Sequence, residues 1–453
     1  MGGCNSKDAD GPGQYLLYTC PGHSGGINCM ALSDDGSVIA TGSEDSTARL
    51  WTTRTEECEC IGVLAGHSDY INCMAFMEHY LLTGSNDKTI RKWDVASCDC
   101  VFVFSGHASL INRIICTGDF IFTSSYDRTA RAWDFDNGDL IRVFSGHKRG
   151  VYPMIFITGE DDAANDEFGI DAGRDLLVTG SADFTAKLWS FESGKCLRTF
   201  KGHTGAITCM GMDNKGSTLF TGSTDMTVRS WNMVTGEELK LFEGHQASII
   251  CLQVAGKLVY SGSSDHTARA WVIEFGHCTR VFKGHRHTVS SLKVHKGFLV
   301  TSCGDGIVRV FDAKSGSIQR SFRGHDNMVN CFKIVDEKIF TGSYDTTMRI
   351  WDMSNIEDDL NVLKDKSKAG KAGAKKKDKD RKKNSIEPTS AGLGNGVGVG
   401  GGGVGSAPGS ANQRPEDEKI LIDDSLSPSK SPESATPSHD QQLQQRNGSA
   451  SMA

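Results

Sequence analysis

A Gly-His pair recurs eight times along the chain, at Gly22-His23, Gly66-His67, Gly106-His107, Gly146-His147, Gly202-His203, Gly244-His245, Gly284-His285 and Gly324-His325. Successive pairs lie 44, 40, 40, 56, 42, 40 and 40 residues apart. Each opens a unit that runs through an apolar stretch to T-G-S-x-D-x-T-x-R-x-W or a near variant of it. A period near 40 that closes on Trp is the pattern of a four-stranded propeller blade, whose apolar faces are buried only when blades stack side by side. This constrains architecture but not chemistry, because a propeller is a platform whose function lies in its faces and tails.

Within the fifth unit, Ile207, Cys209 and Gly211 alternate with Thr208 and Met210 as a strand requires. Asn214-Lys215-Gly216 supplies a turn, and Leu219 to Ser223 reads as a second strand. Thr224-Asp225 turns into a third strand ending at Trp231, and Thr235-Gly236 turns into an outer strand, Leu239 to Phe242. The closing aromatics Trp51, Trp93, Trp133, Trp189, Trp231, Trp271, Phe311 and Trp351 are expected to pack between adjacent blades. Burial of each is worth about 4–6 kcal/mol at about 25 cal/mol per Å².

These residues resemble the WD40-repeat family, over residues 15–353. The resemblance implies an all-β, eight-bladed propeller in which the Gly-His histidine, a strand Ser or Thr, the turn Asp and the Trp are joined by hydrogen bonds. The matching sets begin with His23, Ser43, Asp45 and Trp51 and recur through His325, Ser343, Asp345 and Trp351. The seventh unit carries Cys303 and Phe311 at two of these places, so its network is expected to be incomplete. A Ser-His-Asp nucleophile is excluded by the repetition itself: catalytic constellations are singular, and this one occurs eight times. No other catalytic constellation stands out, and a non-enzymatic protein is expected. The last unit ends on its third strand at Trp351; Tyr15 to Cys20 is expected to supply its missing outer strand and close the ring. Both chain ends then leave one blade on the face opposite the Gly-His loops.

Charge is unevenly divided. Residues 1–363 carry 34 Lys and Arg against 45 Asp and Glu, while residues 364–453 carry 15 against 11. An acidic propeller disfavours nucleic-acid binding there. No run of 18 apolar residues spans a membrane, and no apolar leader follows Met1, which points to a cytosolic or nuclear chain. Of fifteen cysteines, Cys29, Cys73, Cys209, Cys251 and Cys331 each sit six residues after a Gly-His histidine, as small apolar thiols on the innermost strand. Cys58-x-Cys60 and Cys98-x-Cys100 have no second pair at ligand spacing, so neither a metal nor another cofactor is expected, and the cysteines are read as reduced. An insertion of about Gly159 to Asp175 in the fourth unit holds seven acids and one Arg, without the twelve-residue calcium-loop pattern.

The segments outside the repeats carry their own signals. Met1-Gly2-Gly3-Cys4-Asn5-Ser6 fits the N-myristoylation pattern at Gly2, with Cys4 placed for palmitate. One myristoyl chain binds membranes only marginally, with K of about 10⁴ M⁻¹, so a second signal is needed. Palmitate would be one. The basic segment 364–385, dense from Lys375 to Lys383, would be another on an anionic leaflet; it also fits nuclear localisation or a solubilising linker. Residues 386–453 are Gly-, Ser- and Pro-rich and expected to be disordered. There Ser427, Ser431 and Thr436 precede Pro as proline-directed kinases require, and Ser385 follows the basic run as a basophilic kinase requires.

For WD40 propellers the resemblance places ligand contacts at the residue before each turn Asp and around the first apolar residue after Gly-His. Mapped onto this chain, those positions give Tyr126 and Tyr344, then Asn72, Asn112, Tyr152 and Asn330, then Tyr70, Leu110 and Met328. Tyrosine enrichment is what an interface core needs. The reading is therefore a monomeric scaffold that docks a peptide or protein loop on this face and is tethered to the cytosolic face of a membrane by acylation. The alternative is a soluble or nuclear adaptor or substrate receptor that uses the basic run for localisation.

Overall fold

The computed structural model describes residues 11–55, 57–159 and 175–356. Gly2, Cys4, the interior of the acidic insertion, the basic segment, and Ser385, Ser427, Ser431 and Thr436 lie outside them. The described chain is all-β, in eight antiparallel four-stranded sheets. Blade one comprises Ile27–Leu32, Val38–Ser43, Thr47–Thr52 and Cys60–Ala65, and the following six blades repeat this order. Blade eight is composite: Leu16–Cys20 is the outer strand beside Met348–Asp352, with Leu16 opposite Trp351 and Cys20 opposite Met348. The first strands of successive blades, Ile27–Leu32, Ile71–Met77, Ile111–Thr117, Val151–Ile157, Ile207–Met212, Ile249–Ala255, Val289–His295 and Val329–Val335, pack beside one another in a closed cycle. They are the innermost strands and surround the axis.

The core lies between blades rather than inside any one of them. One cluster joins Leu82, Ile90 and Phe104 of blade two to Ile111, Ile121 and Trp133 of blade three. Small residues allow this close approach. Opposite Cys29, Cys73, Cys209, Cys251 and Cys331 in register stand Gly42, Gly84, Gly222, Gly262 and Gly342. A Cβ on any of these glycines would fall 2.6–2.9 Å from the facing sulfur of its own blade and 2.7–2.8 Å from Ile71, Ile111, Ile249, Val289 or Ile27 of the next. Where the second strand carries Ser instead, at Ser124 and Ser302, the facing residue is Arg113 or Ser291.

Two features seal the ring. Asp352 N–H donates to Tyr15 O at 2.9 Å, so the incoming and outgoing strands run side by side. Just before them, Gly13 N–H donates to Arg323 O on the outer strand of blade seven (Ile318–Arg323), and Arg320 Nη1 reaches the carbonyls of Asp352 and Ser354. A cysteine pair adds a covalent link, which corrects the reading of all cysteines as thiols. Cys20, on the outer strand of blade eight, is disulfide-bonded to Cys58, in the last turn of blade one, with Cα atoms 5.8 Å apart. Cys20 stands where other blades place Phe104, Phe144 or Phe282, so ring geometry rather than local sequence brings it to Cys58. The insertion leaves blade four between its first two strands, where Gly159 N–H donates to the Asp175 carboxylate at 3.0 Å.

Candidate functional site

On the face where the Gly-His and Asp turns meet, each blade is tied by one repeated network. In blade one, His23 Nδ1 meets Asp45 at 2.8 Å, and its Nε2 meets Thr41 Oγ1 at 2.9 Å. Trp51 Nε1–H donates to the same Thr41 hydroxyl at 2.9 Å. The strand hydroxyl in the network is thus Thr41, two residues before Ser43. Ser43 Oγ instead accepts the Asp45 N–H and donates to Gly25 O, which shapes the turn. In blade eight the set is His325, Asp345, Thr341 and Trp351, with Ser343 in the turn. Burial pushes the Asp45 carboxyl up, but hydrogen bonds from Thr47, the Ser24 N–H and His23 outweigh it and hold it at about 2. Burial also holds His23, His107 and His325 below their ordinary value. Nothing in these sets faces solvent as a nucleophile would; they position the turns.

Those turns present the outward-facing side chains. The residue after each turn Asp has a positive φ, from 64° at His266 to 77° at Gly306. A left-handed non-glycine residue is pushed out of the sheet, and two of these are large and apolar: Phe184 in blade four and Met226 in blade five, both exposed. Motif mapping misses both, because it treats that position as turn filler. The available signal was a bulky apolar residue where other units carry Ser46, Lys88, Arg128 or Thr346. Arg149 lies over the Phe184 ring at 5.7 Å.

The mapped residues fall into two groups. Around blades three and four, Tyr126 is 51% exposed, and its ring meets Tyr152 edge-on at 6.3 Å. Tyr126 N–H donates to Leu110 O, so Leu110 lies beneath it in the same blade. Tyr126 also leans over the next blade, since a Cβ on Gly150 would fall 2.9 Å from its ring. Across the seam between blades eight and one, Tyr344 covers Gly26 in the same manner and bonds through its N–H to Met328 O. Burial raises the pKa of both Tyr152 and Tyr344, and the neighbouring Tyr126 and Glu44, respectively, add to the shift. Tyr70, on blade two, is 44% exposed.

The three mapped asparagines are engaged inside the protein. Asn72 Nδ2 donates to Ile111 O, Asn112 to Val151 O at 2.6 Å, and Asn330 to Ile27 O at 2.9 Å. Asn28, Thr208 and Ser290 make the same bond from their own blades to the next. These side chains staple each inner strand to its neighbour at the channel mouth. Among the described residues, no group of His, Cys, Asp and Glu side chains is arranged to hold a metal ion.

Comparison with known proteins places this geometry among repeat proteins. The family described as WD domain, G-beta repeat matches residues 14–52, 58–94, 98–134, 194–232, 236–271, 276–312 and 316–352. The matches pass over most of blade four, where the insertion stretches the 40-residue spacing to 56. WD repeat-containing protein 86 of Homo sapiens is 52% identical over 206 residues, covering 46% of this chain and 54% of that protein. Mitochondrial division protein 1 of Saccharomyces cerevisiae is 26% identical over 212 residues, covering 43% and 25%. The aligned part therefore spans about half of the first relative and a quarter of the second. Among solved structures, the computationally designed Ika8 protein aligns with a TM-score of 0.66 at 25% identity, over 75% of this chain and 99% of that one. Saccharomyces cerevisiae Sqt1 aligns with a TM-score of 0.66 at 16% identity, over 75% and 98%, a likeness of fold.

Proposed function

This chain belongs to the WD40 repeat family, whose propellers generally serve as protein-interaction scaffolds, and from that premise we propose that it captures a peptide or protein loop on its Gly-His face. The observation that carries the reading is the arc of Tyr126, Tyr152 and Phe184 across blades three and four. Two of its three rings are exposed, and Arg149 stands at its edge. Aromatic rings with a cation beside them supply the large, stiff contact area that dominates interface energies. Tyr70, Tyr344, Leu110 and Met328 extend the apolar surface, while Asn72, Asn112 and Asn330 hold the channel mouth in shape. A peptide library selected on the full chain and counter-screened on the Tyr126→Ala/Phe184→Gly variant tests this. Selected peptides should lose at least about tenfold in affinity, which is what losing roughly 1.4 kcal/mol of contact means. Equal binding to the variant overturns the reading.

The same proposal includes a tether. Gly2 and Cys4 carry the acylation pattern, and the two ends of the propeller chain run together on the side away from the Gly-His turns. An anchor there leaves the capturing face free. Membrane fractionation with an alkyne-myristate label, comparing wild type with Gly2→Ala, decides it. Label and membrane pool should vanish together in the variant. An unlabelled wild type leaves a soluble or nuclear adaptor, localised by the basic segment.

A further inference from the structure

The eight innermost strands differ in charge from the rest of the propeller. Together they carry Arg113, Lys293, Lys333 and His295 but no Asp or Glu, although residues 1–363 as a whole hold 45 acids against 34 bases. Arg113 and Lys293 are exposed despite lying on inner strands, so their head groups look into the axial channel rather than into a core. Lys293 and Lys333 occupy the same repeat position on adjacent blades seven and eight.

Arg113 comes from blade three. Its guanidinium nonetheless acts on the thiols of Cys29, Cys73 and Cys209 in blades one, two and five, and on Lys333 in blade eight. Arg113 stands in the middle of Ile111–Thr117, an innermost strand, and is exposed, so its side chain opens on the axis. Burial lowers the pKa of Lys333, and the Lys293 and Arg113 charges lower it further. None of the three is hydrogen-bonded or ion-paired with a described residue. The surrounding thiols offer no countercharge, since burial pushes Cys73, Cys209 and Cys331 up to about 12 and keeps them neutral.

The two mouths differ as well. On the Gly-His side the rim is neutral, built from Asn28, Asn72, Asn112, Thr208, Ser290 and Asn330. On the other side the turns after the inner strands are mixed but net acidic, with Asp34, Asp119, Asp213, Asp336 and Glu337 beside Lys215, Lys257 and Lys296. The neutral rim opposes an entering anion less than the net-acidic turns do.

We propose that the axial channel is a binding site for a small multiply charged phosphate anion, entering from the Gly-His face and held by Arg113, Lys293 and Lys333. A guanidinium offers phosphate oxygens a two-pronged donor, and two ammonium groups supply the remaining charge as compact donors. Three unpaired cations lining one channel whose innermost strands carry no carboxylate are what a compact polyanion neutralises. This inference stands apart from peptide capture on the rim.

The test uses the full chain titrated with inorganic tripolyphosphate and, at matched ionic strength, with sulfate and a hexaglutamate peptide. Calorimetry and thermal shift are both read. One tripolyphosphate should bind per chain, about tenfold or more tighter than sulfate, and both Arg113→Gln and Lys333→Gln should weaken it by about tenfold or more. In the absence of ligand, Arg113→Gln should melt no lower than wild type, because a repulsion has been removed, and that separates lost binding from lost folding. A Lys375→Gln/Lys376→Gln/Lys377→Gln variant should bind as wild type does. Absence of one-to-one binding overturns the proposal, as does binding that survives Arg113→Gln or disappears with the Lys375–Lys377 variant. Preference for hexaglutamate would assign the channel to an acidic peptide and overturn it too.

Discussion

Asp305 turns away from His285 and takes the Arg309 guanidinium instead, at 2.8 and 3.1 Å. In each of the other seven blades the equivalent carboxylate holds its histidine at 2.7–2.9 Å. Two substitutions account for the change. Ile307 stands where the other turns have a Thr whose hydroxyl binds the carboxylate, and Phe311 lacks the indole N–H that shares the strand hydroxyl. Arg309 is 1% exposed, so its charge is satisfied inside the blade.

Blade seven should therefore add to the acid sensitivity that the lowered His23, His107 and His325 also give the propeller. Burial first, then the Arg309 charge, drive the His285 pKa down from 6.5 to about 3. Below pH 6.5 the unfolded chain binds a proton that the native chain refuses, so stability falls as pH drops from 6.5 towards 3. The slope is about 1.4 kcal/mol per pH unit for one proton. The Asp45 carboxylate adds loss in the same direction only further down, between 3.8 and about 2. Urea midpoints measured from pH 7 to pH 5 should be flatter for His285→Gln than for wild type, and equal slopes would remove His285 from the account.

Removing the partner of a buried guanidinium is costly. Asp305→Asn should destabilise the protein by about 3–5 kcal/mol, the usual result of leaving a buried charge unpaired. Urea denaturation reads this directly, and a loss under about 1 kcal/mol would mean that Arg309 finds water.

The shared hydroxyl predicts a difference between blades. Thr341 in blade eight serves both His325 and Trp351, whereas Thr301 in blade seven serves His285 without an indole partner. Thr341→Val should cost about 1–3 kcal/mol more than Thr301→Val, because a second buried donor loses its acceptor. Equal losses in chemical denaturation would show that the indole bond contributes nothing.

Reduction should loosen the seam. The Cys20–Cys58 link closes a 38-residue separation, for which loop-closure entropy gives about 3–4 kcal/mol. Thermal melts with and without a phosphine reductant should differ, and Cys58→Ser should abolish the difference. A wild type indifferent to reductant would mean that the bond does not form in solution.

Phe184 separates binding from stability. Its φ of 73° is one that glycine adopts freely, so Phe184→Gly should leave stability within about 1 kcal/mol while removing a ring from the proposed capture surface. A large drop in melting temperature would show that the Phe184 ring supports the fold instead.

Much of this architecture was legible because the repeat states it eight times. The Gly-His spacing, the turn Asp and the closing aromatic marked every blade, and Tyr15 to Cys20 was visible as the strand that the last unit lacks. The network hydroxyl was not. Thr41 and Ser43 recur together in the same strand, and only the register of Trp51 opposite Ile39 brings the indole N–H over Thr41. The Cys20–Cys58 pair was hidden for a related reason, since its proximity exists only after ring closure. Phe184 was overlooked because a left-handed turn residue reads as filler until its direction is known. Asn72, Asn112 and Asn330 could be mapped from the repeat as rim positions, but their inter-blade bonds depend on the angle between neighbouring sheets, which no single repeat encodes.

Because blade eight borrows its outer strand from the start of the chain, the ring has a last step. During synthesis, Leu16–Cys20 emerges first, but its partner Met348–Asp352 appears only after all the other blades have been made. For that whole interval its backbone edge is open to any strand nearby. In the finished ring the bond to Cys58 ties that strand to blade one, beside the place its partner takes. Truncation anywhere before Asp352 would therefore produce an array with two sticky ends rather than a smaller propeller.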